Sequence, residues 1–238
     1  MRHAIVMIAL VLLVAATGWT EGAKPVFYVG GGISMPMKPD AIGGLDGSEI
    51  GIKDMYKNGT HIGGGVGFQI SPNVEIIGWV SYNSFAFDDD GFSQALEDEF
   101  IRLSGGMTGF TFDINTNGTK LELIEIMGDV KFTIPVGQQQ AKFKPFILGG
   151  LGMTNAKQAS TELEMHIVYP PLVDTTISET IPEQTETKLA FNIGAGFDYM
   201  VSPTVGIFAD VRYAQVAVEG DPIGYLPIRA GLIFKLGQ

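Results

Sequence analysis

The chain has 238 residues, of which 45% are hydrophobic and only 17% are charged, and it contains 32 glycines and no cysteine. The absence of cysteine excludes a disulfide-stapled secreted module and any thiolate metal site or nucleophile. A formal net charge of -11 argues against nucleic acid as a partner, because phosphate binding needs a basic surface.

The amino-terminal segment has the three-part layout of a secretory signal. Arg2 and His3 precede an apolar run over 4–16, and small residues follow it. The run is shorter than the roughly 20 apolar residues that a membrane-spanning helix needs. We therefore predict a signal peptide over 1–18, with cleavage as late as residue 23; a retained amino-terminal anchor is the alternative.

Apolar side chains alternate with glycine, amide or charged residues along much of the remaining chain. In 191–214, one face is apolar and the other is polar or glycine, with a break at Ser202-Pro203. Alternation with period two predicts β-strands, because successive side chains point to opposite faces. The predicted strands are 26–36, 60–70, 74–86, 120–134, 142–155, 188–200, 204–217 and 225–236.

The connections between these strands alternate in length. Tight connections are predicted at 71–73, 136–141 and 202–203, long ones at 37–59, 87–119 and 156–187, and an intermediate one at 218–224. Short turns at one end and long loops at the other are typical of outer-membrane barrels. We predict one all-β domain over 24–238, an eight-stranded antiparallel transmembrane up-and-down β-barrel with its apolar face toward lipid.

The glycine-rich face of the strands carries charges of both signs. Eight strands enclose a space just wide enough for side chains, so we predict paired ions there rather than a wide channel. Gln215 is also expected to face the lumen, whereas Ile77 and Trp79 fit neither face cleanly because they share a side with Glu75. The predicted lumenal ion-pair network consists of Glu125, Asp129, Lys131, Asp198, Asp210, Arg212, Arg229 and Lys235.

Three segments resemble strands of a known family: FKPFILGGLGM over 143–153, the stretch 191–214, and LPIRAGLIFKL over 226–236. They are similar to the eight-stranded outer-membrane β-barrel family that includes outer-membrane protein A, its small relatives and the opacity proteins. The resemblance implies export to the periplasm and insertion into the outer membrane of a Gram-negative-type bacterium by the barrel-assembly machinery. It also implies contact with outer-membrane lipid and lipopolysaccharide, and no cofactor. The ending Leu236-Gly237-Gln238 departs from the aromatic terminus common in the family.

A weak metal candidate occurs in the second long loop. Asp113, Asn115 and Asn117 place oxygens at alternate positions before Gly118, as at the start of a calcium loop. Ile124, however, stands where that loop requires a bidentate glutamate. An Asn-Gly turn is the favoured interpretation.

The same loop is acidic and partly amphipathic. Acidic residues cluster at 88–90 and 97–99. Such clusters favour a loop whose carboxylates are solvated, and binding of divalent cations by these carboxylates is the alternative. Apolar residues recur between them at helical spacing and predict a short helix packed over the barrel mouth. These residues are Phe92, Leu96, Phe100 and Leu103.

Strict alternation continues into the third long loop. The stretch 161–167 predicts a hairpin that extends beyond the membrane and turns at Pro170-Pro171. Such an exposed hairpin could accept a partner strand. One face of the hairpin carries Glu162, Glu164 and His166. We expect these residues to keep the exposed hairpin soluble, and a metal site there is the less favoured alternative.

Few residues are available for catalysis. Beyond the predicted signal, only His61 and His166 supply imidazoles, neither belongs to a His-x-Ser pair, and His61 is expected to be half-buried at the membrane interface. We predict a non-enzymatic barrel with a plugged lumen and acidic external loops, serving a structural or surface-interaction role with an unidentified surface partner. A lipid-A-modifying or protease-like barrel enzyme and a small solute channel are the alternatives.

Overall fold

The computed structural model describes residues 25–39, 50–136, 142–217 and 222–236. The predicted signal over 1–18, its later cleavage limit at 23 and the turn over 137–141 lie outside these residues. No helix within the described ranges is long and apolar enough to cross a membrane. The elements are β1 (Pro25–Lys38), α1 (Ile52–Met55), β2 (Gly59–Ser71), β3 (Val74–Ala86), α2 (Asp89–Leu103), β4 (Thr111–Asn115), β5 (Lys120–Thr133), β6 (Phe143–Gln158), β7 (Thr161–Tyr169), β8 (Val173–Ile181), β9 (Gln184–Met200), β10 (Val205–Val216) and β11 (Ile223–Lys235).

Eight strands close into an antiparallel barrel in the order β1, β11, β10, β9, β6, β5, β3, β2. The first and last strands pair with each other from Val26 and Lys235 at one end to Lys38 and Gly224 at the other. Closure leaves no strand edge, so the backbone groups of every wall strand can be paired within the protein. The predicted fold class and all eight predicted strands are confirmed, with end points that differ by a few residues.

The two faces of the wall have opposite chemistry. Outward apolar side chains are open, with Leu151 74% exposed and Ile193 63% exposed, whereas the lumenal Asp129 and Asn83 are fully buried. A soluble protein would show the reverse arrangement, since exposed contiguous apolar surface marks contact with another apolar phase. The outward apolar band is the surface expected to face lipid.

Two side-chain orientations correct or complete the sequence prediction. Gln215 lies on the outward face, not in the lumen, because β10 alternates without a bulge and Gln215 therefore shares its side with Ala209. Ile77 and Trp79 lie buried in the lumen beside Glu75. The inward face of β3 is thus mixed rather than polar.

Three further strands form a sheet outside the barrel, in the order β4, β7, β8. The predicted hairpin is confirmed, with the turn between Tyr169 and Val173. The pairing register between β7 and β8 continues that between β6 and β9. The register between β4 and β7 likewise continues that between β5 and β6. This sheet therefore continues one side of the barrel wall outward by about 30 Å, at roughly 3.3 Å per residue.

The face assignment predicts a depth-dependent effect of arginine on one strand. Ala209→Arg places a charge midway along the outward face and should destabilise the folded barrel in lipid by about 2–4 kcal/mol. Gln215→Arg, on the same face but near the loop end, should cost about 0–1 kcal/mol. Urea titrations of both variants in lipid vesicles measure the difference, and equal losses would contradict the assignment.

Candidate functional site

The middle of the lumen is filled by a charged group that we call the central cluster. Arg212 Nη1 lies 2.5 Å from Asp129 Oδ2, and Arg212 Nη2 lies 3.4 Å from Asp210 Oδ2. Arg229 donates to both oxygens of Asp210, from Nε at 2.7 Å and from Nη2 at 2.6 Å. Asn192 Nδ2 donates to the other Asp129 oxygen at 2.9 Å. Two buried arginines and two buried aspartates thus neutralise one another.

Aromatic rings cover the faces of these guanidinium groups. The Arg229 guanidinium carbon lies 4.3 Å from the Trp79 ring centroid, and that of Arg212 lies 5.7 Å from it. Phe208 contacts Trp79 edge to face, with centroids 6.1 Å apart. A cation over an aromatic face is stabilised by the ring quadrupole, most strongly by tryptophan. This contact explains why an apolar residue occupies the charged side of β3.

A second group, the turn-side cluster, lies nearer the short turns. Lys131 Nζ lies 2.8 Å from Asp198 Oδ2 and 3.1 Å from Glu75 Oε2. It also donates to the Tyr28 hydroxyl at 2.7 Å, and that hydroxyl donates to Glu75 Oε1 at 2.8 Å. The void between this cluster and the central one measures about 10 Å³. Such a volume holds about one water molecule, which is too little for a continuous water path.

A third group, the loop-side cluster, is built on a carboxylate without a cationic partner. Glu125 accepts hydrogen bonds from Ser81 Oγ at 2.6 Å, from Asn83 Nδ2 at 2.9 Å and from the Tyr225 hydroxyl. Asn83 Oδ1 in turn lies 2.8 Å from His61 Nδ1. Several neutral donors can hold a buried carboxylate when no cation is close. Glu125 therefore belongs to the lumenal network through hydrogen bonds rather than an ion pair.

His61 is not the half-buried interfacial residue that the sequence suggests. Its side chain is only 4% exposed and points into the lumen, because it shares a side of β2 with Gly63 and Gly65. Ser34 Oγ also donates to Asn83 Oδ1, at 2.7 Å. His61 thus forms part of a sealed polar layer and not of a rim site.

A buried apolar group that we call the apolar cap lies above the loop-side cluster. Phe85 and Tyr225 meet edge to face, with ring centroids 5.9 Å apart. Ile52 of α1 and Tyr56, which follows that helical turn, complete the same buried group. Burial raises the pKa of Tyr56 to about 12, because the charged phenolate is disfavoured away from water. Of these residues, Ile52 belongs to α1, a helix that the sequence pattern does not predict.

Glycine on the inward face makes room for the charged side chains. A Cβ atom at Gly150 would collide with the Asp129 carboxylate, and one at Gly67 would collide with that of Glu75. Both carboxylates occupy space that any other residue would fill. The glycine-rich face is therefore a steric requirement of the clusters as much as of the narrow barrel.

The remaining predicted site residues are not brought into the clusters. Lys235 is half-buried at the turn end and forms no ion pair within 4 Å with any described residue. Asn115 uses its side-chain oxygen to accept from the backbone of Asn117, which forms the favoured Asn-Gly turn. Across the described ranges, no group of three His, Asp or Glu side chains could hold a metal, including the candidates Asp113 and His166.

The predicted helix in the second loop is confirmed as α2, but it packs mainly against β4 and α1 rather than on the strands of the barrel mouth. It caps the edge of β4. Asp89, Ser93 and Glu97, spaced by four, accept from the backbone N–H groups of Thr116, Ile114 and Phe112 at 3.1, 3.1 and 2.9 Å. Four helical residues rise about 6 Å, which nearly matches two strand residues. The side chains of α2 therefore accept the hydrogen bonds that a neighbouring strand would otherwise accept from this edge.

The acidic residues of this loop are largely occupied by contacts within the protein. Asp88 is the N-cap of α2, where its side chain accepts from Gly91 N, and it lies 3.4 Å from Lys57 Nζ. Glu99 binds Arg102 through both carboxylate oxygens. The loop is therefore an ordered acidic structure rather than a run of free carboxylates.

Comparison with known proteins identifies the architecture. The profile of the outer membrane protein beta-barrel domain family matches residues 6–226. The crystal structure of Neisserial surface protein A superposes with a TM-score of 0.52 at 16% identity, covering 91% of this chain and 100% of that one. The attachment invasion locus protein of Yersinia pestis in complex with the heparin analogue sucrose octasulfate gives 0.45 at 14% identity, with 89% and 99% coverage. Among curated protein sequences, none matches this chain.

The central cluster predicts strong coupling between Asp129 and Arg212. Asp129→Ala or Arg212→Ala leaves a buried partner unpaired and should lower the free energy of unfolding by about 3–5 kcal/mol. The double variant Asp129→Ala/Arg212→Ala should lose less than the sum of the single losses. Denaturation in lipid vesicles gives the double-mutant cycle, and additive losses would contradict a direct buried pair.

Proposed function

The chain belongs to the outer membrane protein beta-barrel domain family, and on that premise we propose that it is a non-enzymatic barrel with a closed lumen and an interacting outer surface. It is a protein of the outer membrane, surrounded by lipid and lipopolysaccharide. We also propose that residues 1–18 direct export and that the barrel-assembly machinery inserts the mature chain. The acidic sheet formed by β4, β7 and β8, which we call the outer sheet, is the part that would contact surface partners.

The stacking of buried side chains in the lumen is the observation that supports a non-conducting barrel. The turn-side, central and loop-side clusters lie one above another, and the apolar cap covers the last of them. Each layer is made of residues from several different strands, so none can swing aside without breaking contacts to the others. Eight strands leave no additional width for water beside these groups.

The described histidines give little support to an enzyme. His61 is buried beneath the cap and bonded to an amide, so no substrate can reach it. His166 Nε2 lies 2.8 Å from Asp174 Oδ1 on an exposed hairpin, where both side chains are solvated. A general base needs a positioned nucleophile and exclusion of water. Neither histidine has both.

The closed lumen predicts that the native protein does not conduct. In planar bilayers it should show no steady current, because hydrated ions would have to displace the buried clusters. Arg212→Ala, which removes the side chain linking Asp129 and Asp210, should conduct more often than the native protein. The outward variant Gln215→Ala is the control and should behave as native. A large, steady native conductance would favour the solute channel instead.

A further inference from the structure

The outer sheet has two edges, and only one of them is covered. On β4, the side chains of α2 occupy the backbone N–H groups, as a neighbouring strand would. On β8, the opposite edge, no described strand or helix pairs with the backbone. Proteins normally protect an open edge with lysine, proline or a bulge. The nine residues of β8 contain neither lysine nor proline, their charged residues are Asp174 and Glu179, and their pairing with β7 has no bulge.

The two faces beside this edge differ in charge and polarity. On one face, Asp174 of β8 shares its side of the sheet with Glu162 and Glu164 of β7, which lie opposite Thr180 and Ser178. Asp174 contacts His166 on this face, and no lysine or arginine of the sheet lies there. On the other face, Ile177 lies opposite Met165 and is 52% exposed. Glu179 also lies on this second face, opposite Leu163. An added strand would therefore meet a more acidic surface with one set of its side chains and a more apolar surface with the other.

We propose that β8 accepts an extended segment of a partner polypeptide in which lysine or arginine alternates with apolar residues. This inference rests on the proposed surface-interaction role and names the partner chemistry. Backbone hydrogen bonds along β8 supply affinity, and alternate side chains supply selectivity. Basic residues lie on the side of Glu164 and Asp174, and apolar residues pack against Ile177.

A second copy of this chain is the poorer occupant. The formal net charge is -11, so two copies repel one another at long range. Pairing β8 with a second β8 would also bring the carboxylates of Asp174 and Glu179 from both copies into one sheet, with no lysine or arginine on either strand. A basic segment removes both penalties.

The test uses the folded full-length protein in lipid nanodiscs and two synthetic nine-residue peptides of identical composition. One alternates lysine with valine, and the other places the lysines and the valines in separate blocks. The alternating peptide should bind about tenfold more tightly and slow amide hydrogen exchange in β8. Equal binding of the two peptides would reduce the interaction to net charge and overturn the proposal, as would absence of binding or protection outside β8.

Matched charge-reversal variants locate the site. Glu164→Lys/Asp174→Lys should weaken binding of the alternating peptide by about tenfold or more. Asp90→Lys/Asp98→Lys changes the net charge equally but lies on exposed positions of α2, and it should retain most of the affinity. Equal losses in both variants would overturn the proposal. Because conductance does not involve β8, failure of this test is distinguishable from failure of the closed-lumen account.

Discussion

The constraint on which the structure depends is that an eight-stranded barrel is too narrow to hydrate the charges inside it. A charge taken from water must be compensated within the protein, or the folded state is lost. The central cluster meets this demand by placing Asp129 and Asp210 against Arg212 and Arg229. The side chains that compensate these charges also occupy the middle of the lumen, so the stability of the barrel and the proposed closure of its lumen would have one cause.

Outside the barrel, the governing constraint is the open strand edge. Within the wall, closure removes every edge, but strands that continue into the loops expose new ones. One of these edges is capped by Asp89, Ser93 and Glu97 of α2, whose spacing matches that of the N–H groups on β4. The other edge is left open on β8. The outer sheet therefore has one edge whose backbone N–H groups are already bonded and one edge that is open to pairing.

Much of the fold can be predicted from the sequence because its signal is local. Alternation along each strand, together with the contrast between tight and long connections, is sufficient to predict eight strands, most of their faces and the external hairpin. The prediction that Gln215 faces the lumen is wrong. Its polarity suggests the lumen, whereas the unbroken alternation of β10 places it on the outward face. The role of Trp79 could not be read locally, since its partners Arg212 and Arg229 come from strands far along the chain.

The clusters were predictable only in part for the same reason. Residue type and face identify Asp129, Asp210, Arg212 and Arg229 as lumenal, but partners depend on strand stagger around the barrel. Neutral groups such as Tyr225 and Asn83, which bind Glu125, carry no pattern that marks them in advance. The capping of β4 was likewise hidden, because it depends on how α2 packs against a strand that follows it.

The most direct test of the closed lumen is the exchange of the Arg212 side-chain protons with water, followed by nuclear magnetic resonance of the folded protein in nanodiscs. Protons held by Asp129 and Asp210 beneath the apolar cap should give separate guanidinium signals that exchange slowly. A single averaged signal that exchanges as fast as that of free arginine would show that water reaches the central cluster, and it would contradict the account.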